Sequence, residues 1–484
     1  MRIPSTWQPA YSPPLQARRF TTGALSNGGR QMRQPGDKMR LGAFLTATGQ
    51  HIAAWRHPDV QADGGINLQE YIRIVKIAEA GKFDMMFLAD NAGIWDRELE
   101  SDGRSSRAGY FEPITLLSAL SAVTEKIGLV ATATTSFNEP YTIARKYASL
   151  DHLSGGRAGW NLVTSANAAE AYNYGLDVHL LHAERYNRAE EFADVVTGLW
   201  ETWEDDALLF DKEGGRFFDP DKLKLLNHAG KYFKVRGPLN VPRTPQGRPV
   251  MVQAGSSEPG KELAARTAEV VFTAQPKLED GIAFYADLKG RLARYGRTPC
   301  ELKIMPGLSP VVGATREEAQ AKFRELQDLI DPDVALGMLS SMAGHDLSGY
   351  PLDGPFPDLS DSDSGKGRLK VLTDTARREN MTIRELANHI AGTRGHNLVI
   401  GTPTEIADQM EEWFASEAAD GFNIMPQALP GSLSDFVDLV IPELRKRGLF
   451  RDEYEGTTLR ENLGLPWPEL GGVRRAAKQD ASLT

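Results

Sequence analysis

From Met39 onward, short apolar runs alternate with amphipathic stretches of helical period, and this alternation constrains the fold more than anything else in the chain. MRLGAFLTAT, FDMMFLAD, IGLVATATTS, AGWNLVTS, PVMVQAG, VVFTAQ, LKIMPGLSPVVG and DGFNIMPQ each read as a buried strand. LQEYIRIVKIAEAGK, the segment from Pro113 to Lys126, YTIARKYASLDHL, ERYNRAEEFADVVTGLWETW, KELAARTAE, TEIADQMEEWFASEAA and LSDFVDLVIPELRKRG read as helices. Strands alternating with helices imply a parallel sheet. Eight such units imply an α/β fold closed as a TIM (β/α)8 barrel with insertions.

Two stretches break the rhythm. Residues 205–248 are rich in Gly, Pro and charge. Residues 331–397, which hold GYPLDGPFPDLSDSDSG, read as a long irregular insertion on the connection leaving strand seven. Its polar run from Asp358 to Gly367 is expected to act as a lid, because long loops on the active face of a barrel are usually functional. Residues 1–38 carry six Arg and Lys against the sole acid Asp37 and show no apolar period, so they read as a disordered arm. The barrel domain is expected over 39–465, and 466–484 reads as a polar tail.

Composition removes several function classes. A formal charge of −10 argues against nucleic acid or an anionic membrane as the main partner. Cys300 is the only cysteine, so neither an intrachain disulfide nor a cysteine-based metal cluster is available, and a reducing cytoplasm fits. No apolar run approaches the roughly 20 residues of a membrane span. There is no GxxxxGK[ST] phosphate loop, and GSSEPG lacks the spacing of a dinucleotide fingerprint.

In a barrel the chemistry lies at the C-terminal ends of the strands. Asp90 ends strand two, where an acid either caps a turn or faces the site. Thr132 and Thr134 lie on one face of strand three and Thr135 on the other. Asn161, Thr164, Ser165 and Asn167 sit on or just past strand four. His182 and Tyr186 stand four apart at a helix start, on one face and near the positive end of the helix dipole, where a phosphate is favoured. Ser256 and Ser257 precede another helix N-terminus, suited either to a phosphate or to plain capping.

The block LDHLSGGRAGWNLVTSANAAEAYNY, together with LGAFLTATGQHIAAWRH, GKFDMMFLAD, LLHAERYNRAEEF, WEDDALLFDK, PVMVQAGSS, GYPLDGP and DGFNIMP, resembles the flavin-dependent monooxygenases of the bacterial-luciferase superfamily. The resemblance runs from about Met39 to about Leu465 and is nearest to the nitrilotriacetate and dibenzothiophene-sulfone monooxygenase branch. It implies reduced flavin mononucleotide (FMNH2) as cofactor, supplied by a separate NAD(P)H:flavin reductase, and O2 as co-substrate. One oxygen atom would pass to a small organic substrate, with cleavage of a C–N or C–S bond. It also implies a cytoplasmic homodimer or homotetramer. The matching positions imply FMN contacts at Asp90, Thr132 (with Thr134 as second choice), His182, Tyr186, Ser256 and Ser257. They imply an aromatic substrate pocket from Phe44, Phe87 and Phe272, and a catalytic role for His51. The sequence departs at Met342, where sulfone-oxidising relatives carry a His, which weakens transfer of that substrate.

Three rivals remain at this level. A deazaflavin-dependent hydride-transfer enzyme of the same superfamily would not need oxygen. A non-catalytic flavin-binding protein would turn nothing over. A metal-dependent barrel hydrolase would use His152, His179, His182 and His228, which lack HxH or HExxH spacing.

Overall fold

The computed structural model describes residues 36–46, 48–94, 103–165, 167–359 and 366–471. The expected N-terminal arm lies outside the described residues apart from residues 36–38, as do residues 360–365 of the polar insertion run and residues 472–484 of the tail.

Eight parallel strands close into a barrel: β1 (Arg40–Leu45), β2 (Met85–Leu88), β3 (Gly128–Thr134), β4 (Ala158–Val163), β5 (Val250–Ala254), β6 (Val270–Thr273), β7 (Lys303–Val312) and β8 (Gly421–Ile424). Closure is set by register. Val270 pairs with Lys303, Gly307 with Asn423 and Arg40 with Gly421, so the last strand returns to the first. Alternation sorts the side chains as a barrel requires. Phe44, Met85, Phe87, Val130, Val250, Val252, Val270, Phe272, Met305 and Met425 fill the interior. Their neighbours Leu41, Met86, Leu129, Trp160, Met251 and Phe422 turn outward against the helices.

Helices α1 (Leu68–Ala80), α2 (Pro113–Ser121), α3 (Pro140–Ser154), α4 (His182–Trp200), α5 (Glu258–Thr267), α6 (Leu278–Arg291) and α7 (Arg316–Asp328) follow their strands in turn. Helix α3 stops where LSGGR indicated: Gly155 takes φ 68° and its N–H bonds back to the last turn, a conformation that side-chain-bearing residues adopt only with strain. The excursion at 205–248 carries two small antiparallel hairpins, Leu208–Asp211 with Arg216–Phe218 and His228–Ala229 with Lys234–Val235.

The insertion at 331–397 is not irregular. It holds three helices, α8 (Pro332–Ala343), α9 (Lys366–Glu379) and α10 (Ile383–Thr393), which bury Leu339, Leu372, Leu386 and Ile390 in a core of their own. Thr382 and Glu385 form a reciprocal capping box that starts α10. A ninth strand, Asn397–Gly401, then pairs with the far end of β7 before α11 (Pro403–Ala415) leads to β8. Ile52 and Ala53 of the first βα-loop pack into the insertion core, tying it to the barrel mouth.

The opposite mouth is plugged by the C-terminal turn Leu459–Asn462. Leu459 reaches the interior beside Gly128 and Gly159; a Cβ at Gly128 would collide with it, and one at Gly159 with Val130. Arg460 pairs with the buried Glu269 at 2.6 Å. Residues 466–471, expected in the tail, are also held: Arg243 donates to the Pro468 carbonyl at 2.6 Å and the Gly471 N–H to Glu201 at 3.0 Å. No helix among the described residues is long and apolar enough to cross a membrane.

Candidate active site

The C-terminal face gathers most of the residues singled out above. Thr132 faces the interior, its hydroxyl donating to the Leu88 carbonyl and accepting from Asn161 Nδ2, both at 2.8 Å. This leaves Asn161 Oδ1 buried inside the barrel without a partner, an acceptor able to meet a planar ring bearing N–H groups. Thr134 lies on the same face and accepts from the Ser136 N–H at 3.1 Å. Asp90, past the end of β2, accepts from the Asn91 N–H at 2.9 Å. Burial, with Glu112 nearby adding to it, raises its carboxyl to about 6.

A second group forms where two helices begin. His182 opens α4, and its ring lies 4.9 Å from that of Tyr186 one turn on. The Ser257 hydroxyl, at the N-cap of α5, donates to Tyr186 Oη at 3.2 Å and accepts from the Gly260 N–H at 3.2 Å. A side chain at Gly260 would come within 3.0 Å of Ser257 Oγ and 3.1 Å of Tyr186 Oη, so glycine keeps this corner open. Glu258, the acid in the first turn of α5, is drawn off by Lys261 and by Arg291 at 2.7 Å. Ser256 is exposed beside the corner. Helix α4 is anchored here by Arg185 to the Ser165 carbonyl and by Arg188 to the Thr135 carbonyl. Sequence reading passed over both arginines, since surface charge is ordinary on a helix.

Phe44, Phe87 and Phe272 meet inside the barrel with centroid separations of 4.9, 5.0 and 5.7 Å. A fourth ring, His396, stacks on Phe272 at 5.1 Å and 15°. His396 precedes the ninth strand and was not singled out, because the insertion that delivers it read as irregular. Met342, half-buried on α8, reaches to 4.0 Å from where a Cβ on Gly395 would lie, so it sits one residue away from that ring.

His51 is buried and its ring stands edge-on to Phe323 of α7 at 6.3 Å. Its Nδ1 accepts from the Ala53 N–H at 3.2 Å. Burial, aided by the positive Arg107, lowers its pKa to about 3, so it has no imidazolium proton to give at neutral pH. The four remaining candidate histidines do not converge. His152 Nε2 lies 3.1 Å from the Pro242 carbonyl, His228 Nε2 3.0 Å from Glu191, His179 packs on Phe137 and His182 on Tyr186. No group of three or more His, Cys, Asp or Glu suited to a metal occurs among the described residues.

An eight-stranded barrel with an aromatic interior and a phosphate-suited corner at two helix N-termini defines a class of small-molecule enzyme in which a bound organic cofactor carries the chemistry. The particular family follows from comparison. The luciferase-like monooxygenase model matches residues 39–420, and the chain belongs to that family. It is 54% identical to N-acetyl-S-(2-succino)cysteine monooxygenase of Bacillus subtilis (strain 168), over 91% of this chain and 99% of that protein. It is 53% identical to nitrilotriacetate monooxygenase component A of Aminobacter aminovorans, over 89% of this chain and 97% of that protein. The solved structure of DmoA from Hyphomicrobium sulfonivorans superposes with a TM-score of 0.83 at 33% identity, over 91% and 96% of the two chains.

Proposed function

We propose that this monooxygenase is the oxygenating component of a two-component system, taking reduced FMN from a separate NAD(P)H-dependent reductase and inserting one atom of O2 into a small organic substrate. The observation that carries the reading is the meeting of His182, Tyr186 and Ser257 at the starts of α4 and α5. Helix N-termini and hydroxyl donors together attract a phosphate monoester. Thr132 and Asn161 offer hydrogen-bonding groups inside the barrel for the ring system, and Asp90 stands at the end of the adjacent strand.

When bound, reduced FMN supplies the two electrons and the centre at which O2 is activated. This chain's residues do the rest. His182, Tyr186 and Ser257 would hold the phosphate end, and the Asn161 side-chain oxygen, otherwise buried and unmatched, would orient the ring. Phe44, Phe87 and Phe272 keep the space beside it dry, so that reducing equivalents and oxygen meet substrate instead of water. Relatives named for nitrilotriacetate and for N-acetyl-S-(2-succino)cysteine support a substrate of that kind, and we infer that oxygen insertion beside its nitrogen or sulfur cleaves a C–N or C–S bond.

The test is turnover with purified protein, an NADH:FMN reductase, FMN and 18O2, offering nitrilotriacetate, N-acetyl-S-(2-succino)cysteine and an uncharged sulfone. For at least one substrate one 18O atom per turnover is expected, in the carbonyl fragment alone and trapped by borohydride before it exchanges with water, with no product formed when oxygen is withheld. Oxygen-independent turnover, or no labelled product from a protein that binds FMN, would remove the reading.

A further inference from the structure

Gln50 lies buried in the first βα-loop, at the mouth of the barrel. Its amide donates to the Phe44 carbonyl at 2.8 Å and its backbone N–H to the Pro426 carbonyl at 2.9 Å, so it is clamped between β1 and the end of β8. Two arginines reach it from different connections. Arg107, on the loop after β2, donates through Nη2 to the Gln50 carbonyl at 2.7 Å. Arg394, closing α10 of the insertion, donates through Nη1 to Gln50 Oε1 at 3.4 Å.

Arg107 differs from the other arginines packed into the barrel. On the floor, Arg451 is neutralised by Asp84 and Arg460 by Glu269, each at 2.6 Å. Arg157 spreads its donors over the Ser121, Thr124, Ser154 and Ile127 carbonyls and the Thr124 hydroxyl. Arg107 makes one side-chain bond, to one carbonyl, and no carboxylate among the described residues faces it. Burial pulls its pKa down to about 10, with only the Tyr110 phenol acting against this. A guanidinium taken partly out of water without a counter-charge is costly, and a neutral donor would tie the same carbonyl as well. Among the described residues, the fork therefore keeps its positive charge with donors left for a further acceptor.

Two neighbours reinforce the point. Arg394 holds a left-handed backbone, φ 53°, at a position where glycine or asparagine is usual, and strain of this kind gathers at functional sites. His51, next to Gln50, accepts at Nδ1 and therefore carries its proton on Nε2, which is buried without a partner. The cluster adjoins the aromatic box: Gln50 is bonded to Phe44, and His396, two residues beyond Arg394, stacks on Phe272.

We propose that Arg107 and Arg394, converging on Gln50 at the rim of the Phe44–Phe87–Phe272 box, form a binding site for a carboxylate of the substrate, so that the physiological substrate is an organic acid anion with an apolar or thioether portion reaching into the box. Arginine suits this task because its planar fork engages both carboxylate oxygens. That the anion is the substrate rests on the monooxygenase reading above; the anion site itself does not.

The experiment is calorimetric titration of the FMN-loaded protein, in metal-free buffer, with nitrilotriacetate, N-acetyl-S-(2-succino)cysteine and the methyl esters of both. At least one acid is expected to bind ten-fold or more tightly than its ester. Arg107→Gln and Arg394→Gln should each weaken that acid at least ten-fold, and Arg107→Lys should recover only part of the loss. FMN affinity serves as the check that each variant is folded. If Arg107→Gln fails that check, Arg107→Lys and Arg394→Gln carry the test. Esters that bind as well as the acids, or variants that bind the acids unchanged, overturn the proposal. A wild-type enzyme that oxygenates an uncharged sulfone yet binds neither acid sinks the carboxylate site and leaves the monooxygenase standing. Arginine-dependent acid binding without oxygen transfer does the reverse.

Discussion

Ser257 Oγ lies 3.2 Å from Tyr186 Oη, a contact that joins the N-cap of α5 to the first turns of α4 and brings two connections of the barrel to one corner. Each hydroxyl has the other as its partner, so a phosphate arriving here would meet donors already held in place. Preorganisation of this kind removes part of the ordering cost of binding.

Removing the Tyr186 hydroxyl should therefore discriminate between flavins. Tyr186→Phe is expected to weaken FMN by about 1.5–3 kcal/mol, the usual size of a hydrogen bond to a charged group, and to leave riboflavin unchanged. Ser257→Ala should do the same and also lower helix stability by about 1 kcal/mol, because the Gly260 N–H loses its cap. Fluorescence titration of both flavins against both variants checks this. Equal losses for FMN and riboflavin would place the phosphate elsewhere.

The floor of the barrel makes the opposite prediction. Burial alone would raise the Glu269 carboxyl, but Arg460 and Arg248 outweigh it and hold it at about 2. A depressed carboxylate pKa means stability that is present above its unfolded value near 4.5 and lost as pH falls towards 2. Arg460→Ala leaves Glu269 buried without this partner and should cost about 3–5 kcal/mol. Because this mouth is remote from the chemistry, KM and the coupling of oxygen to product should not move. Denaturant melts and steady-state kinetics on the one variant separate the two effects.

The barrel was legible because strand and helix periods differ, and eight apolar runs such as GLVATAT are short enough to read only as strands. The corner proposed for the phosphate was legible in part, through a four-residue spacing and a serine ahead of a helix, although that Tyr186 and Ser257 touch is a fact of closure alone. The insertion was misread. Polar residues around GYPLDGPFPDLSDSDSG obscured the capping box Thr382–Glu385 and the buried face of Leu386, Ala387 and Ile390, all of them visible signals. The helix Leu278–Arg291 after β6 was passed over in the same way. The meeting of Arg107 and Arg394 on Gln50 had no local signal. Three connections bring those residues together, and no spacing encodes it.

A separate core in the insertion implies separate melting. Leu372 is fully buried among the insertion helices, and Leu372→Ala should cost that unit about 2–5 kcal/mol. Hydrogen exchange is expected to speed up first across α8, α9 and α10, with β1 to β8 still protected. Since the insertion adjoins the box through Met342, Gly395 and His396, turnover should also release more hydrogen peroxide per O2 consumed. Exchange rising in parallel over insertion and barrel would show one cooperative unit.

Asp90 and His51 lean in opposite directions with pH, and their variants should separate cleanly. Asp90 is raised to about 6 by burial, so between its unfolded value of 3.8 and 6 the folded state holds more protons than the unfolded one. Its contribution to stability accordingly falls as pH rises through that window. His51 is lowered to about 3 by burial and by Arg107, so between 6.5 and 3 the unfolded state holds more protons, and stability falls as pH drops. In the wild type the two trends partly cancel between pH 4 and 6. Asp90→Asn should expose the histidine trend, a steeper loss of stability on acidification. His51→Gln should leave the Asp90 trend alone, so that stability rises on acidification through the same window. The same values predict that a limb near pH 6 in kcat/KM due to Asp90 disappears in Asp90→Asn and survives in His51→Gln, because His51, lowered to about 3, is neutral throughout the working range. Denaturation free energies at half-unit pH steps, with kcat/KM profiles for both variants, check the pair. A limb near 6 that disappears in His51→Gln and persists in Asp90→Asn would reverse the assignment and make His51 the ionising group of the site.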